Sequence, residues 1–365
     1  MSLDTANIRK QFPVLDRYVY ADTATSGLLS QDLLHWRQGH DLDFLMGGSI
    51  MKTPSMHLIT NTRDAVADFF GCESHNVSLA PNFSLGINLL LEGLDKKHKI
   101  LLLENDYPSI NWPFETRGFA IDRIPIDTFV ENRIYEAVKN KGTTVFAFSL
   151  VQWLNGLVLD LEFLQKLKSE FPDLLIIADG TQFCGMFDFD FTESAIDVLG
   201  ASTYKWLLSG YGNGFLLFKE EAKSFFFPKS IGCHSVGGNL SMKNTVAFHK
   251  LLEPGHLNTL SFGSLKFSLA YLNAIGMKNI AQKNKALSQK IKEELCDLQL
   301  LESTISQRNI HSTIFNIKGD GKLFQELTQQ NIICAQRGEG IRLSFHFYNT
   351  LAEIEHIVSV LKKNH

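Results

Sequence analysis

The sequence predicts an α/β fold: a mostly parallel central sheet with helices on both faces, followed by a smaller α+β C-terminal domain. Three observations carry this expectation. Short apolar runs alternate with amphipathic stretches from about residue 75 to 220, the pattern of strands joined by helical crossovers. The runs are apolar along their whole length, as strands covered on both faces are. Beyond about residue 260 two long helical patterns and then shorter strands replace the alternation.

Taken in order, Asn7 to Arg63 reads as an N-terminal arm able to fold back onto either part of the chain. The buried strands are KILLLE (99–104), GFAIDRI (118–124), TTVFAFS (143–149), DLLIIAD (173–179), IDVLGAS (196–202) and GFLLF (214–218). SLGINLLLEGL (84–94), TFVENRIYEAVKN (128–140) and LDLEFLQKLKSEF (159–171) read as helices between them. SFGSLKFSLAYLNAIG and MKNIAQKNKALSQKIKEELCDL then read as long helices, HSTIFNIKG and GIRLSFH as strands, and TLAEIEHIVSVLKKN as a closing helix. The expected division is an arm over 1–30 that contributes to the small domain and the site, a large α/β domain over 31–260, and a connecting helix with the small domain over 261–365.

Bulk properties exclude several function classes. With 35 basic and 39 acidic side chains, a net charge of −4 and no long Lys/Arg run, nothing favours nucleic acid or an anionic membrane. Five scattered cysteines without CxxC spacing argue against a disulfide framework or a zinc site and fit a reducing cytoplasm. MSLDTANIRKQFP lacks the apolar stretch of a signal peptide, and no apolar run reaches membrane-spanning length. The paired aspartates of DFDF (188–191) read as solvated loop residues, so no metal is expected.

In open α/β sheets the site lies beyond the carboxyl ends of the strands. Polar residues stand there at Asn82 and Ser84, Asp106 and Tyr107, Gln152 to Asn155, Asp179 to Gln182, and Ser202 to Lys205. Lys205, in GASTYKWLLSGYGNG, is the conspicuous one. A lone ammonium between two buried strands is costly unless it reaches water or its chemistry is used. Asp179 ends another apolar strand in IIADGTQ. An amine, a carboxylate, the hydroxyls of Ser202 and Thr203, and a helix N-terminus together suit pyridoxal phosphate. That cofactor needs an amine for its aldehyde, an acid for its ring nitrogen, and hydroxyls and N–H groups for its phosphate. GYGNG (210–214) follows the lysine and precedes a strand, so it reads as a turn admitting backbone to the cofactor, not as a dinucleotide fingerprint.

The segments ADGTQ, STYKW and GYGNGFLLF closely resemble those of the class V aminotransferases, a fold-type-I pyridoxal-phosphate group that includes cysteine desulfurases, selenocysteine lyases and kynureninases. YADTATSGLLS (20–30), NFSLGIN (82–88), LEPGHLNT (252–259) and IRLSFHFYNT (341–350) resemble further segments of that family in the same order. The resemblance implies that Lys205 forms the Schiff base and moves the α-proton, Asp179 pairs with the pyridinium nitrogen, and Gln182 bonds the phenolic oxygen. Tyr107 stands where many relatives stack a histidine on the ring. Phe83, Ser84, Ser202 and Tyr204 would surround the phosphate, with Ser84 read also as an N-cap. His256, with Asn258 near it, takes the place where the family's partner subunit often completes that site. Arg342 would receive the substrate carboxylate, near Trp153, Asn155 and Thr25, while Arg337 reads equally as a second carboxylate reader or a structural arginine.

Two departures stand out. Cys334 lies only eight residues before Arg342, too close for a desulfurase's mobile cysteine loop, and reads as a strand-interior thiol. Trp153 replaces the asparagine that desulfurases place near the carboxylate, leaving Asn155 as a substitute. The expected function is an aminotransferase acting at the α-carbon of an amino acid, a small-molecule substrate, with a 2-oxo acid as the other substrate, as a homodimer by resemblance. A lyase of desulfurase type and an epimerase are the alternatives, with a non-catalytic protein of the same fold as the least favoured.

Overall fold

Each of the six apolar runs forms a strand of one sheet in the computed structural model, which describes residues 4–364. The strands are β1 (Val19–Tyr20), β2 (Val77–Ala80), β3 (Lys99–Leu103), β4 (Ala120–Ile124), β5 (Val145–Ser149), β6 (Leu175–Asp179), β7 (Val198–Ser202), β8 (Gly214–Phe218), β9 (Ile314–Lys318), β10 (Ile332–Ile333), β11 (Ala335–Arg337) and β12 (Gly340–Ser344). The large sheet runs β2-β8-β7-β6-β5-β3-β4. Its strands are parallel except β8, which pairs antiparallel with both β2 and β7.

The period of two explains why these runs are apolar throughout. Phe146 and Phe148 face one core with Ile176 and Ala178, while Val145 and Ala147 face a second core with Leu175 and Ile177. The edge strand β4 is the exception. Its middle positions, Asp122 and Arg123, are partly exposed and exposed, which discourages pairing with another chain.

Helices Phe83–Leu91, Val130–Lys141 and Leu161–Glu170 fall where the sequence places them, with ends shifted by a few residues. Two elements beside the site were not anticipated. β2 is only four residues long and carries Ser78, so its pattern is weak. Helix Pro108–Glu115 contains two prolines, Pro108 at its tolerated first position and Pro113 inside it.

The arm folds back in two ways. β1 pairs parallel with β10, and Asp22 bridges to Ser344 at the end of β12. Helices Gln31–Gly47 and Lys52–Phe70 instead pack against helix Thr259–Ile275. β9, β12 and β11 form a three-stranded antiparallel sheet in the order β11-β12-β9, covered by helices Met277–Asp297 and Leu351–Asn364. No described helix is long and apolar enough to cross a membrane.

Candidate active site

The loops following β2, β3, β5, β6 and β7 meet around a cavity of about 530 Å³. Lys205 sits in its wall, only 6% exposed. Its ε-amine makes no ion pair or hydrogen bond among the described residues, and lies 5.6 Å from the ring centroids of both Tyr107 and Tyr204. The backbone there is tightly held. Gly27 of the arm donates to the Tyr204 carbonyl at 2.9 Å, and a Cβ at Gly27 would stand 1.9 Å from the Lys205 carbonyl oxygen. Burial lowers the Lys205 pKa to about 7; Arg342 adds to the effect, and Asp179 and Asp22 oppose it.

Asp179 ends β6 and accepts a hydrogen bond from the Thr181 N–H at 2.8 Å. Burial pushes its pKa up to about 6 against the hydrogen bonds of Thr181 and the charge of Lys205. Thr181 also accepts from the Ser202 N–H at 3.0 Å, tying β6 to β7. The Gln182 amide donates to the Ala24 carbonyl at 3.0 Å and accepts from the Trp206 indole at 2.7 Å. This clamp fixes its orientation and leaves its second amide hydrogen for the cavity.

At the other end of the cavity stands the N-terminus of helix Phe83–Leu91. Asn82 caps it, accepting from the Leu85 N–H at 2.9 Å. This corrects the expectation that Ser84 is the N-cap. Ser84 donates its hydroxyl to Ser109 at 2.7 Å, and its own backbone N–H has no acceptor among the described residues. Phe83 also lines the cavity, but its N–H is taken by the Ser202 hydroxyl oxygen at 2.9 Å, which leaves the Ser202 proton free. Tyr204 stacks on Tyr211 with centroids 4.3 Å apart, and Gly212 at φ +92° brings bare backbone to the same wall. Tyr107 and Trp153 form the opposite wall, edge to face at 5.8 Å.

Arg342 is buried beside this cavity. It donates to the Trp153 carbonyl at 2.8 Å and to the Thr25 hydroxyl at 2.6 Å, and stands 3.6 Å from Asp22 Oδ1. Its Nε proton is buried without a partner. Thr25 is therefore a prop for the guanidinium, and Trp153 supplies both a wall and a carbonyl.

Two further expectations, those for Asn155 and Cys334, are corrected. Asn155 does not line the cavity; its side chain accepts from the Leu157 N–H at 3.2 Å, a local turn contact. His256 and Asn258 line a separate cavity of about 760 Å³, and Asn258 caps helix Thr259–Ile275 through the Ser261 N–H at 3.0 Å. Within one chain neither meets Lys205. Cys334 lies in the link between β10 and β11, not inside a strand, and burial pushes its thiol up to about 12.

The sequence reading placed Asn82 and Thr181 at the strand ends that form the site, but missed Asp22, Ser109 and the Tyr211 ring as parts of this neighbourhood. Asp22 is an isolated charge among small residues in YADTATSG, which is a usable signal. Ser109 and Tyr211 are brought in by loop paths that periodicity does not encode. Among the described residues no group of three or more His, Cys, Asp or Glu could hold a metal ion.

Comparison with known proteins agrees with this geometry. The class-V aminotransferase family model matches residues 46–357. An uncharacterized aminotransferase, YcbU, of Bacillus subtilis is 23% identical over 96% of this chain and 95% of its own length. A probable cysteine desulfurase of Pyrococcus abyssi is 23% identical over 98% of this chain and 96% of its own. Among solved structures, the apo cysteine desulfurase of Thermococcus onnurineus superposes with a TM-score of 0.87 at 20% identity, covering 100% of this chain and 98% of that one. The fold is that of the fold-type-I pyridoxal-phosphate enzymes. The chain belongs to the class V aminotransferase family, whose cofactor is pyridoxal 5'-phosphate.

The residues present fit that cofactor. The cavity holds an unpartnered amine, a buried carboxylate with one oxygen bonded to Thr181, an open Gln182 amide hydrogen, and the free Ser84 N–H and Ser202 hydroxyl at a helix N-terminus.

Proposed function

We propose that this chain is an aminotransferase that moves an amino group between an amino acid and a 2-oxo acid. The observation that carries this reading is Lys205, a buried amine with no partner and a pKa near 7, in the wall of a cavity that also holds Asp179. In this reading Lys205 holds the cofactor's aldehyde carbon, Asp179 keeps the ring nitrogen protonated, and Gln182 bonds the phenolic oxygen. Ser84 and Ser202 hold the phosphate, and Tyr107 covers the ring. When bound, the cofactor supplies an electron sink for the pair left at the substrate α-carbon.

The chain's own residues do the rest. Arg342 holds the substrate carboxylate, a planar fork suited to two parallel hydrogen bonds. The released Lys205 amine, its pKa lowered to about 7 so that a neutral fraction is available at neutral pH, takes the proton from the α-carbon and returns it where amino transfer requires. The Tyr107 and Trp153 walls keep bulk water from that proton.

Elimination of desulfurase type would use the same lysine, and the likeness to a desulfurase structure favours it as the second reading. The Cys334 thiol argues against persulfide formation, since burial holds it protonated at neutral pH. The test is to mix the cofactor-loaded protein with a panel of amino acids and follow its visible spectrum. Conversion to the amino form of the cofactor, reversed by a 2-oxo acid, supports transfer. Sulfide, alanine or ammonia released without an acceptor would instead establish a lyase.

Leu42, Leu45, Met46 and Ile50, on helix Gln31–Gly47 and the turn after it, are exposed apolar side chains. Phe44 of the same helix borders the cavity that holds His256 and Asn258. In this reading the face meets a second copy, and His256 completes the phosphate end of the partner's site.

A further inference from the structure

We infer that Arg337 is a second carboxylate reader at this site, so that the substrates are dicarboxylic: an amino acid of the aspartate or glutamate type and its 2-oxo acid. This rests on the aminotransferase reading above for the amino group, but the binding claim stands on the hairpin itself. β11 and β12 pair with Ala335 opposite Arg342 and Arg337 opposite Gly340. Directly paired residues of an antiparallel ladder share a face, and so do residues two apart on one strand. Arg337 and Arg342 are therefore diagonal neighbours on one face of the hairpin, a spacing of about 7–8 Å at the backbone. Between them the ladder carries Gly340, which has no side chain to separate the two guanidinium groups.

That face is the one turned to the active site, because Arg342 reaches the Trp153 carbonyl and Thr25 from it. The hairpin turn is held against the same loop. Gly338, at φ +57°, lies so close to Leu154 that a Cβ there would stand 3.2 Å from its methyl group. Arg337 is half-buried and has no acidic partner among the described residues; its one hydrogen bond goes to the carbonyl of Gln336 at 3.0 Å. Glu339 in the turn is exposed and makes no ion pair with it among the described residues. Charge reaches the reacting end as well, since Arg337 is among the groups that lower the Lys205 pKa.

Asp22 is the nearby acid, and it is engaged with Arg342. One guanidinium thus has its propping contacts and a single acid, and the other is left unpaired a few ångströms along the same face. Two fixed forks select an anion with two carboxylates over one with a single carboxylate.

Calorimetric titration of the cofactor-loaded enzyme with glutarate and with pentanoate, equal in carbon number, tests this without turnover. Glutarate is expected to bind at least ~10-fold more tightly, the scale of one charge-assisted contact. Arg337→Ala and the neutral, polar Arg337→Gln should remove that preference and leave pentanoate affinity within about twofold, whereas Arg342→Lys should weaken both acids. Equal affinity for the two acids in the unaltered enzyme would overturn the inference. So would equal loss of both acids in either Arg337 variant with a native circular dichroism spectrum, because that is a structural role. If glutarate is preferred but no amino acid converts the cofactor, the aminotransferase reading fails and the second carboxylate site stands. If conversion occurs with no dicarboxylate preference, this inference alone fails.

Discussion

Lys205 and Asp179 are driven toward neutrality by one cause, their removal from water, and each is only partly restored by the other's charge. For the lysine this is functional, because only the neutral amine attacks an aldehyde. The neutral fraction rises as pH rises through the folded pKa. Cofactor loading of the empty protein should therefore quicken with pH around a midpoint of about 7, as stopped-flow absorbance can record. A midpoint near the ordinary lysine value would contradict the burial argument. Lys205 and Asp179 were legible in the sequence for the same physical reason: an isolated charge beside buried strands must be paired or used; Arg342 was legible only through the resemblance of IRLSFHFYNT to a family segment. Asn155 was not, because whether its side chain turns toward the cavity or toward Leu157 depends on a loop path that no periodicity records.

At the scale of elements, the phosphate end depends on one helix N-terminus with a division of labour between two residues. Asn82 caps the helix and Ser84 offers the free N–H and hydroxyl. Asn82→Ala should cost about 1 kcal/mol of stability in urea unfolding. Ser84→Ala should leave stability within about 0.5 kcal/mol, as is usual for substitutions that remove no cap or core group, while raising the Kd for the cofactor in equilibrium dialysis.

A second element-scale joint ties the arm to the sheet. Arg63 of helix Lys52–Phe70 makes two hydrogen bonds to Glu253, at 2.6 and 2.9 Å, and Glu253 accepts the Leu79 N–H of β2 at 2.8 Å. Both charged groups are buried, so Glu253→Leu leaves a guanidinium unpaired and should cost about 3–5 kcal/mol, read from the urea midpoint. The strands were legible because both of their faces are apolar. β2 was not, because Ser78 faces toward the His249 carbonyl at one of its four positions. Helix Pro108–Glu115 was hidden by prolines that a helix tolerates at its start and that Pro113 adds inside.

At the scale of the molecule, one chain brings Lys205, Asp179, Gln182, Tyr107, Ser84, Ser202 and Arg342 together and leaves His256 and Asn258 elsewhere. The proposed second copy reconciles that placement with the family resemblance. Assembly is invisible to the sequence pattern of a single chain, since helix Gln31–Gly47 falls in a stretch that reads only as an N-terminal arm. Sedimentation velocity should give a dimer at micromolar concentration, and Leu45→Glu with Met46→Glu should shift it toward monomer. A monomer in the unaltered protein would contradict the shared site.

If Lys205 carries the cofactor, the bond between them can be fixed chemically and located. The loaded protein should be reduced with borohydride, digested, and its peptides read by mass spectrometry. The cofactor's mass is expected on the peptide containing Lys205, with no fixed cofactor in Lys205→Ala despite a native circular dichroism spectrum. Cofactor fixed at another lysine, or normal turnover in Lys205→Ala, would contradict attachment at Lys205.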